Sequence, residues 1–151
     1  MLEEEAAFAA GIGHAKLEGL YRHWLDRRGA RLMPARADFD VLNLKDWLGN
    51  LMLIEVLPGA TEFRYRLYGS VLASYYGEDY TGKTMHAVPT DVANRVSLEY
   101  AEVCRERHPL LVRRKRAIRH SMLPIAKLIL PLSADGSTVD MLLVGSYPED
   151  R

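Results

Sequence analysis

Tyrosines crowd one short stretch of this chain, and their chemistry suits a binding pocket. Five of the eight lie within sixteen residues, namely Tyr65, Tyr68, Tyr75, Tyr76 and Tyr80. Each tyrosine combines apolar area with a hydroxyl that needs a partner when it is buried. A pocket lined in this way suits a small organic ligand. Ordinary core packing with the hydroxyls at the rim explains the same pattern, so both interpretations stay open.

The predicted pocket lining follows from strand alternation. The candidates for ligand binding are Tyr65, Leu67, Tyr76, Met85, Leu128 and Met141. A one-residue error in register would reverse each assignment on a strand, because the side-chain period is two. Arg36 and Arg66 are candidates for polar anchoring, since a guanidinium fork suits a carboxylate or buried carbonyl groups. A salt bridge at the surface or a brace within a connecting segment explains either arginine equally well.

Residues 77–84, Gly-Glu-Asp-Tyr-Thr-Gly-Lys-Thr, satisfy the pattern GxxxxGK[ST] of a phosphate-binding loop. The context argues against that function. The preceding residues 71–76 are predicted to be a helical turn rather than a core strand, and Glu78 and Asp79 would place two carboxylates inside an anion cradle. Pro89 ends any following helix after five residues. We therefore expect a turn with a surface lysine.

A basic cluster lies between residues 105 and 120. It contains Arg105, Arg107, Arg113, Arg114, Lys115, Arg116 and Arg119. Such a ribbon could contact phosphates, but it lacks the interleaved aromatic residues expected for single-stranded nucleic acid. The whole chain is neutral, with 20 basic and 20 acidic residues. A solvated strand is the expectation, and a nucleic-acid-associated regulator using residues 113–119 is the alternative function.

No catalytic or metal-binding constellation stands out, so the chain is expected to be non-enzymatic and to hold no metal. Cys104, the single cysteine, falls within a predicted helical stripe, where a free cysteine usually acts as a small buried hydrophobe. The five histidines show no spacing suited to zinc. His86 and His108 flank the central helices, which leaves haem ligation as a lesser alternative.

The elements that position these residues can be read from periodicity. Leu17, Leu20, Tyr21 and Trp24 form an amphipathic stripe along a helix over 14–28, and a second long helix covers 91–107. Strand patterns occupy five segments, at 51–57, 63–68, 110–120, 122–132 and 139–147. Two groups of strands separated by helices predict an α+β fold with one antiparallel sheet.

Length and composition fit one globular domain. The chain has 151 residues, of which 48% are hydrophobic and 26% charged, and both fractions are typical of a soluble protein. A single cysteine excludes an intramolecular disulfide. The acidic start, without a basic region or an apolar run, is unlike a secretory signal, and no stretch is apolar enough for a membrane span. We expect a cytoplasmic protein.

Several stretches together resemble a known family. They are residues 24–29 with 33–38, residues 63–69, residues 77–83 and residues 130–136, in that order. The chain resembles a bacterial, mainly alphaproteobacterial, family of small stand-alone PAS-type proteins, the fifth-named PAS subgroup. The resemblance implies a PAS fold, a five-stranded antiparallel sheet flanked by helices. It makes residues 1–151 a single domain, with a helical extension over 1–29 and a PAS core over 30–147.

The resemblance also implies a function. PAS domains sense small ligands or cofactors in a cavity between sheet and helices and signal through protein contacts. We therefore expect a sensory or regulatory module, with an unidentified signalling protein as partner and a homodimer formed through the amino-terminal helix. Cys104 lacks the Asn-Cys-Arg-Phe-like surroundings of the flavin-binding light sensors. A small organic ligand of unknown identity is expected rather than flavin or haem, and a ligand-free interaction module is the remaining alternative.

Overall fold

Five strands form one antiparallel sheet in the computed structural model, which describes residues 2–149. The strands are β1 (Leu51–Val56), β2 (Phe63–Tyr68), β3 (Leu110–Ile118), β4 (Ser121–Leu132) and β5 (Met141–Pro148). Their order across the sheet is β2-β1-β5-β4-β3. This arrangement confirms the predicted α+β class, and the predicted limits of 1–151 extend past the described residues at both ends.

Four helices flank the sheet. They are α1 (Glu3–Ile12), α2 (Ala15–Arg28), α3 (Ser70–Tyr76) and α4 (Thr90–Glu106). Helix α2 packs on one face, called here the N-terminal face, with α1 beside it, and α3 and α4 lie on the other, the cavity face. No helix between residues 2 and 149 has the length and apolar character that a bilayer crossing requires.

The apolar stripe of α2 packs against the N-terminal face. Leu17 and Leu20 are fully buried, and their methyl groups lie so close to Gly145 of β5 that a β-carbon there would approach them to 2.9 and 2.8 Å. Trp24 donates a 3.0 Å hydrogen bond from its indole Nε1 to the carbonyl of Pro131. Because this stripe is covered within the chain, dimerisation through the amino-terminal helix, which stays a prediction, would need other residues.

Helix α1 is held to the rest of the domain by two arginines. Arg28 of α2 donates to the Glu5 carboxylate at 2.9 Å. Arg113 of β3 donates to the carbonyl of Ile12 at the end of α1 and pairs with Glu149 at 2.8 Å. A cation at a helix carboxyl terminus interacts favourably with the unpaired carbonyl groups there. Arg113 therefore joins α1 to the sheet.

A bulge interrupts the alternation of β2. Tyr65 lies opposite Ile54 of β1 and Leu67 lies opposite Leu53, so Arg66 has no partner across the pair. An extra residue on one strand shifts every later side chain to the other face. As a result Tyr65 and Tyr68, three residues apart, point to the same face of the sheet.

A two-residue turn connects β3 and β4, where Ile118 pairs with Ser121. Both turn residues have positive φ, 49° at Arg119 and 73° at His120. That conformation matches the right-handed twist of a hairpin but favours glycine or asparagine. Neither residue is typical of such a turn, so the strand predicted over 110–120 extends two residues past the end of β3.

Candidate functional site

A cavity of about 450 Å³ lies between the cavity face of the sheet and helices α3 and α4. This volume falls within the range of small-molecule pockets, roughly 300–1,000 Å³. Buried side chains of β4 and α4 form its base, and exposed residues of α3 and the β3–β4 turn form its mouth. Six tyrosines line it, namely Tyr65, Tyr68, Tyr75, Tyr76, Tyr80 and Tyr100.

Three of these tyrosines form one cluster of rings at the β2 end. The ring centroids of Tyr65 and Tyr68 are 5.2 Å apart and nearly perpendicular, and Tyr80 lies 5.8 and 5.2 Å from them. The contacts of Tyr68 with Tyr65 and with Tyr80 are edge-to-face, a geometry that the ring quadrupoles favour. The bulge at Arg66 makes the cluster possible, because it turns Tyr65 and Tyr68 to the same face.

Burial disfavours ionisation of three phenols in this cavity. It raises the pKa of Tyr65, Tyr68 and Tyr100 well above the usual value, because the charged form loses its hydration. The Arg116 guanidinium opposes that rise at all three residues, so its charge acts on the whole tyrosine wall. Neutral phenols both donate and accept hydrogen bonds, which suits a polar organic ligand.

Lys127 of β4 lies at the base of the cavity with only 5% of its surface exposed. Its Nζ is 3.0 Å from Oε1 of Glu99 on α4, and the same carboxylate pairs with Arg114 of β3. Burial lowers the pKa of Lys127, and the charge of Arg114 acts in the same direction. Two cations therefore share one carboxylate beneath the cavity.

Arg116 of β3 is placed differently from its neighbours. Its guanidinium carbon lies 4.2 Å from the ring centroid of Tyr76 on α3, a cation–π distance. Within residues 2–149, no carboxylate lies within 4.0 Å of it. Arg119, in the turn, lies over the Tyr75 ring at 5.4 Å and donates to the Ser74 hydroxyl at 2.5 Å.

The structure brings two of the predicted site residues together in this cavity, Tyr65 and Tyr76. Leu67 lies on the N-terminal face and is 37% exposed, because the Arg66 bulge reverses the alternation after Tyr65. Leu128 also lies on that face, since it pairs with Gly145, over which α2 packs. Met141 is two pairs along from the Leu143–Leu130 pair on the same face. Leu67, Leu128 and Met141 therefore do not line this cavity.

The other three predicted residues lie outside the cavity as well. Met85 is buried but borders a separate, smaller depression near Phe63. Arg36 donates from Nη1 to the carbonyl of Phe39 at 2.7 Å, bracing its own connecting segment. Arg66, in the bulge, projects into solvent 3.9 Å from Glu55. Arg36 therefore braces a connecting segment, and Arg66 belongs to a surface ion pair.

Sequence reasoning missed three residues of the site, Tyr100, Arg116 and Lys127. Tyr100 falls in the apolar stripe of α4 and so looked like ordinary core. Lys127 is a lone cation inside the otherwise apolar run 123–132, and that isolation was an available signal. Strand alternation would have placed Arg114 and Arg116 on one face and Arg113 and Lys115 on the other.

The remaining sequence motifs have local explanations. In residues 77–84, Lys83 pairs with Glu78 at 2.6 Å, and its backbone carbonyl accepts a 2.9 Å hydrogen bond from the amide of Tyr65. That segment therefore forms a turn along the edge of β2. The basic strand presents its cations to both faces of the sheet and so forms no single basic surface.

The two histidines weighed as haem ligands lie outside the cavity. His86 is exposed beside Glu62 at 3.3 Å, and His108 bonds through Nδ1 to the carbonyl of Pro109. Cys104 of α4 is half-buried, and burial raises its pKa to about 11. Its thiol is therefore neutral at physiological pH.

Comparison with known proteins matches this architecture. A family model described as PAS domain matches residues 12–147. The PAS domain of Bordetella pertussis BvgS superposes with a TM-score of 0.58 at 12% identity, covering 73% of this chain and 83% of that one. A sensory box sensor histidine kinase from Vibrio cholerae gives 0.53 at 13% identity, covering 73% and 91%. No curated protein matches significantly. At these identities the solved structures show the fold alone.

Proposed function

The chain belongs to the PAS-domain family, and on that premise we propose that it is a non-enzymatic sensory module. It binds a small organic ligand in the tyrosine-lined cavity and passes the signal on through contacts with a protein partner. PAS domains are generally sensory, non-catalytic modules, and the two solved structures above carry the same fold. A cytosolic location belongs to the proposal, since the single cysteine is a free thiol.

The observation that carries the proposal is the cavity itself. A sheet face and two helices that packed as a simple core would leave few voids larger than a water molecule. Here about 450 Å³ stays open between them, and its lining combines buried apolar groups with neutral phenols. That combination of apolar area and a few directed polar groups is typical of small-molecule sites.

Movement of α3 offers a route from the cavity to the surface. Tyr75 and Tyr76 of α3 line the cavity, and Arg119 links the helix to the β3–β4 turn through Ser74. A ligand that displaces these rings would change the contacts of α3 with that turn. The exposed side of the turn then presents the change to a partner.

Native mass spectrometry of the freshly purified protein tests the proposal. A non-covalent adduct that is absent from the denatured mass is expected, and its mass identifies the ligand class. The same spectrum reports whether the chain is a homodimer. A bare native mass, together with no binding from a small-molecule library, would favour a ligand-free interaction module instead.

A pair of variants on α4 shows where such an adduct sits. Val92 lines the cavity, whereas Leu98 on the same helix is 74% exposed. Val92→Trp should fill part of the cavity and remove the adduct, and Leu98→Trp should keep it. Circular dichroism checks that both variants fold. Retention of the adduct in folded Val92→Trp would place the ligand elsewhere and contradict the proposal.

A further inference from the structure

The cavity is electrostatically one-sided, which narrows the ligand class. Four side chains that carry or can carry positive charge line it, Arg116, Arg119, His120 and Lys127. No aspartate or glutamate between residues 2 and 149 lines it. A concave site walled by one sign of charge favours ligands of the opposite sign.

The positively charged side chains of the cavity differ in whether a carboxylate or another partner within the chain already lies beside them. Lys127 is 3.0 Å from Glu99, which also serves Arg114. Arg119 already donates a hydrogen bond to the Ser74 hydroxyl in α3. Arg116 has no carboxylate within 4.0 Å in the described part of the chain, and the Tyr76 ring supports its guanidinium from one side. Arg116 is therefore the cation best placed to receive an anionic group.

Aromatic surfaces surround the space beyond this guanidinium. Tyr65, Tyr68 and Tyr100 contribute rings that are buried on the sheet and on α4. Planar rings pack against such walls in offset or edge-to-face geometry and gain more than their buried area alone provides. A guanidinium fork matches a carboxylate in a bidentate geometry.

We propose that the ligand of this cavity is a small aromatic carboxylate, with its carboxylate on Arg116 and its ring among Tyr65, Tyr68 and Tyr100. This inference rests on the proposed function, because it names the ligand class for the same cavity. A cavity of about 450 Å³ has room for a two-ring molecule, given that pockets bury most of a bound ligand.

Titration of the protein with three probes tests this assignment. The probes are 2-naphthoate, its uncharged amide 2-naphthamide, and octanoate, which carries the charge without the ring. Isothermal calorimetry gives the affinities, and NMR shift changes at the tyrosine rings locate the bound probe. We expect 2-naphthoate to bind at least tenfold more tightly than either of the other two.

Two variants of β3 isolate the anchoring charge. Arg116→Gln removes the guanidinium from the cavity face. Lys115→Gln removes one positive charge from an exposed side chain that points to the N-terminal face of the same strand. Loss of a charge-assisted bidentate contact should weaken 2-naphthoate about tenfold or more. Lys115→Gln should leave the affinity for 2-naphthoate unchanged, and neither substitution should change the affinity for 2-naphthamide.

Each outcome decides the matter. Equal binding of 2-naphthoate and 2-naphthamide in the cavity overturns the anionic assignment while leaving ligand binding intact. Tighter binding of octanoate overturns the aromatic assignment. If no probe shifts the tyrosine signals, the aromatic carboxylate is rejected, and the native adduct with its Val92→Trp and Leu98→Trp comparison decides the ligand-binding proposal separately.

Discussion

Lys127 and Glu99 lie 3.0 Å apart under the cavity floor, where the same carboxylate also pairs with Arg114. The lysine is almost fully buried, and the side chains of Glu99 and Arg114 are 14% and 15% exposed. The pairing therefore fixes α4 to the two strands that carry the cavity. Removing the carboxylate and removing the lysine should have unequal effects.

Glu99→Gln should destabilise the domain by about 3 kcal/mol, because it leaves two poorly hydrated cations without a counter-charge. Lys127→Met should change stability by less than about 1 kcal/mol, since Glu99 keeps Arg114 and the methionine fills the same space. Urea unfolding followed by circular dichroism measures both values. Equal losses in the two variants would contradict this account of the charge balance.

The turn at Arg119 and His120 holds two residues in the left-handed backbone conformation, which is unfavourable for residues other than glycine. The left-handed region raises the conformational free energy of a residue with a β-carbon by about 1 kcal/mol. His120 lies in that region, with a φ of 73°. His120→Gly should therefore stabilise the domain by up to about 1 kcal/mol, measured as a rise in the urea midpoint. Gly136→Ala, at a glycine with a φ of 83°, should act in the opposite direction. A lower midpoint for His120→Gly would show that contacts of the imidazole outweigh the backbone term.

Gly69 approaches the backbone of the preceding turn. A β-carbon at Gly69 would stand 2.3 Å from the carbonyl oxygen of Gly49, and backbone atoms cannot move aside as a side-chain end can. Gly69→Ala should cost about 3 kcal/mol, at the upper end for overpacking. Gly11→Ala meets no atom within 4 Å in helix α1 and should instead stabilise by about 0.5 kcal/mol. Thermal unfolding of both variants checks the contrast.

Cys104 should react slowly with alkylating reagents in the folded protein. Burial raises its pKa to about 11 from an ordinary value of 9.0, and the thiolate is the reactive form. The labelling rate with iodoacetamide should rise about tenfold per pH unit and level off only near pH 11. Cys104→Ser supplies the unlabelled control.

Because burial raises the pKa of the Cys104 thiol, this group also makes the stability of the domain depend on pH. Between about pH 9 and pH 11 the unfolded thiol releases its proton before the folded one does, so this group's contribution to stability falls as the pH rises. A labelling plateau at or below pH 9 in the native protein would show that the thiol is not shielded.

Much of the fold followed from periodicity. The stripe Leu17, Leu20, Tyr21 and Trp24 predicted α2 and its buried side, and all four residues are buried. Five strand patterns gave five strands, with boundaries within a few residues. The order β2-β1-β5-β4-β3 was not predicted, because periodicity describes a segment and not its neighbours.

The cavity lining was less accessible to sequence reasoning. Alternation placed Tyr65 correctly but failed at Leu67, since nothing in Phe63–Tyr68 announces an unpaired Arg66. In β3 alternation places Arg114 and Arg116 on one face, but helices cover both faces of the sheet, so alternation alone does not tell which face holds the cavity. The bulge in β2 and the choice of face on the other strands were therefore the two points that the sequence pattern left undetermined.

The unpaired Arg66 gives β2 two phases along its six residues. Before Arg66 the side chains that face the cavity have odd residue numbers, and after it they have even numbers. Tyr65 and Tyr68 therefore face the same way although they are three residues apart. Grafting this wall onto another sheet would require transferring the extra residue together with the rings. Deleting Arg66 alone would turn either Tyr65 or Tyr68 out of the cavity while leaving the amino-acid composition of the wall unchanged.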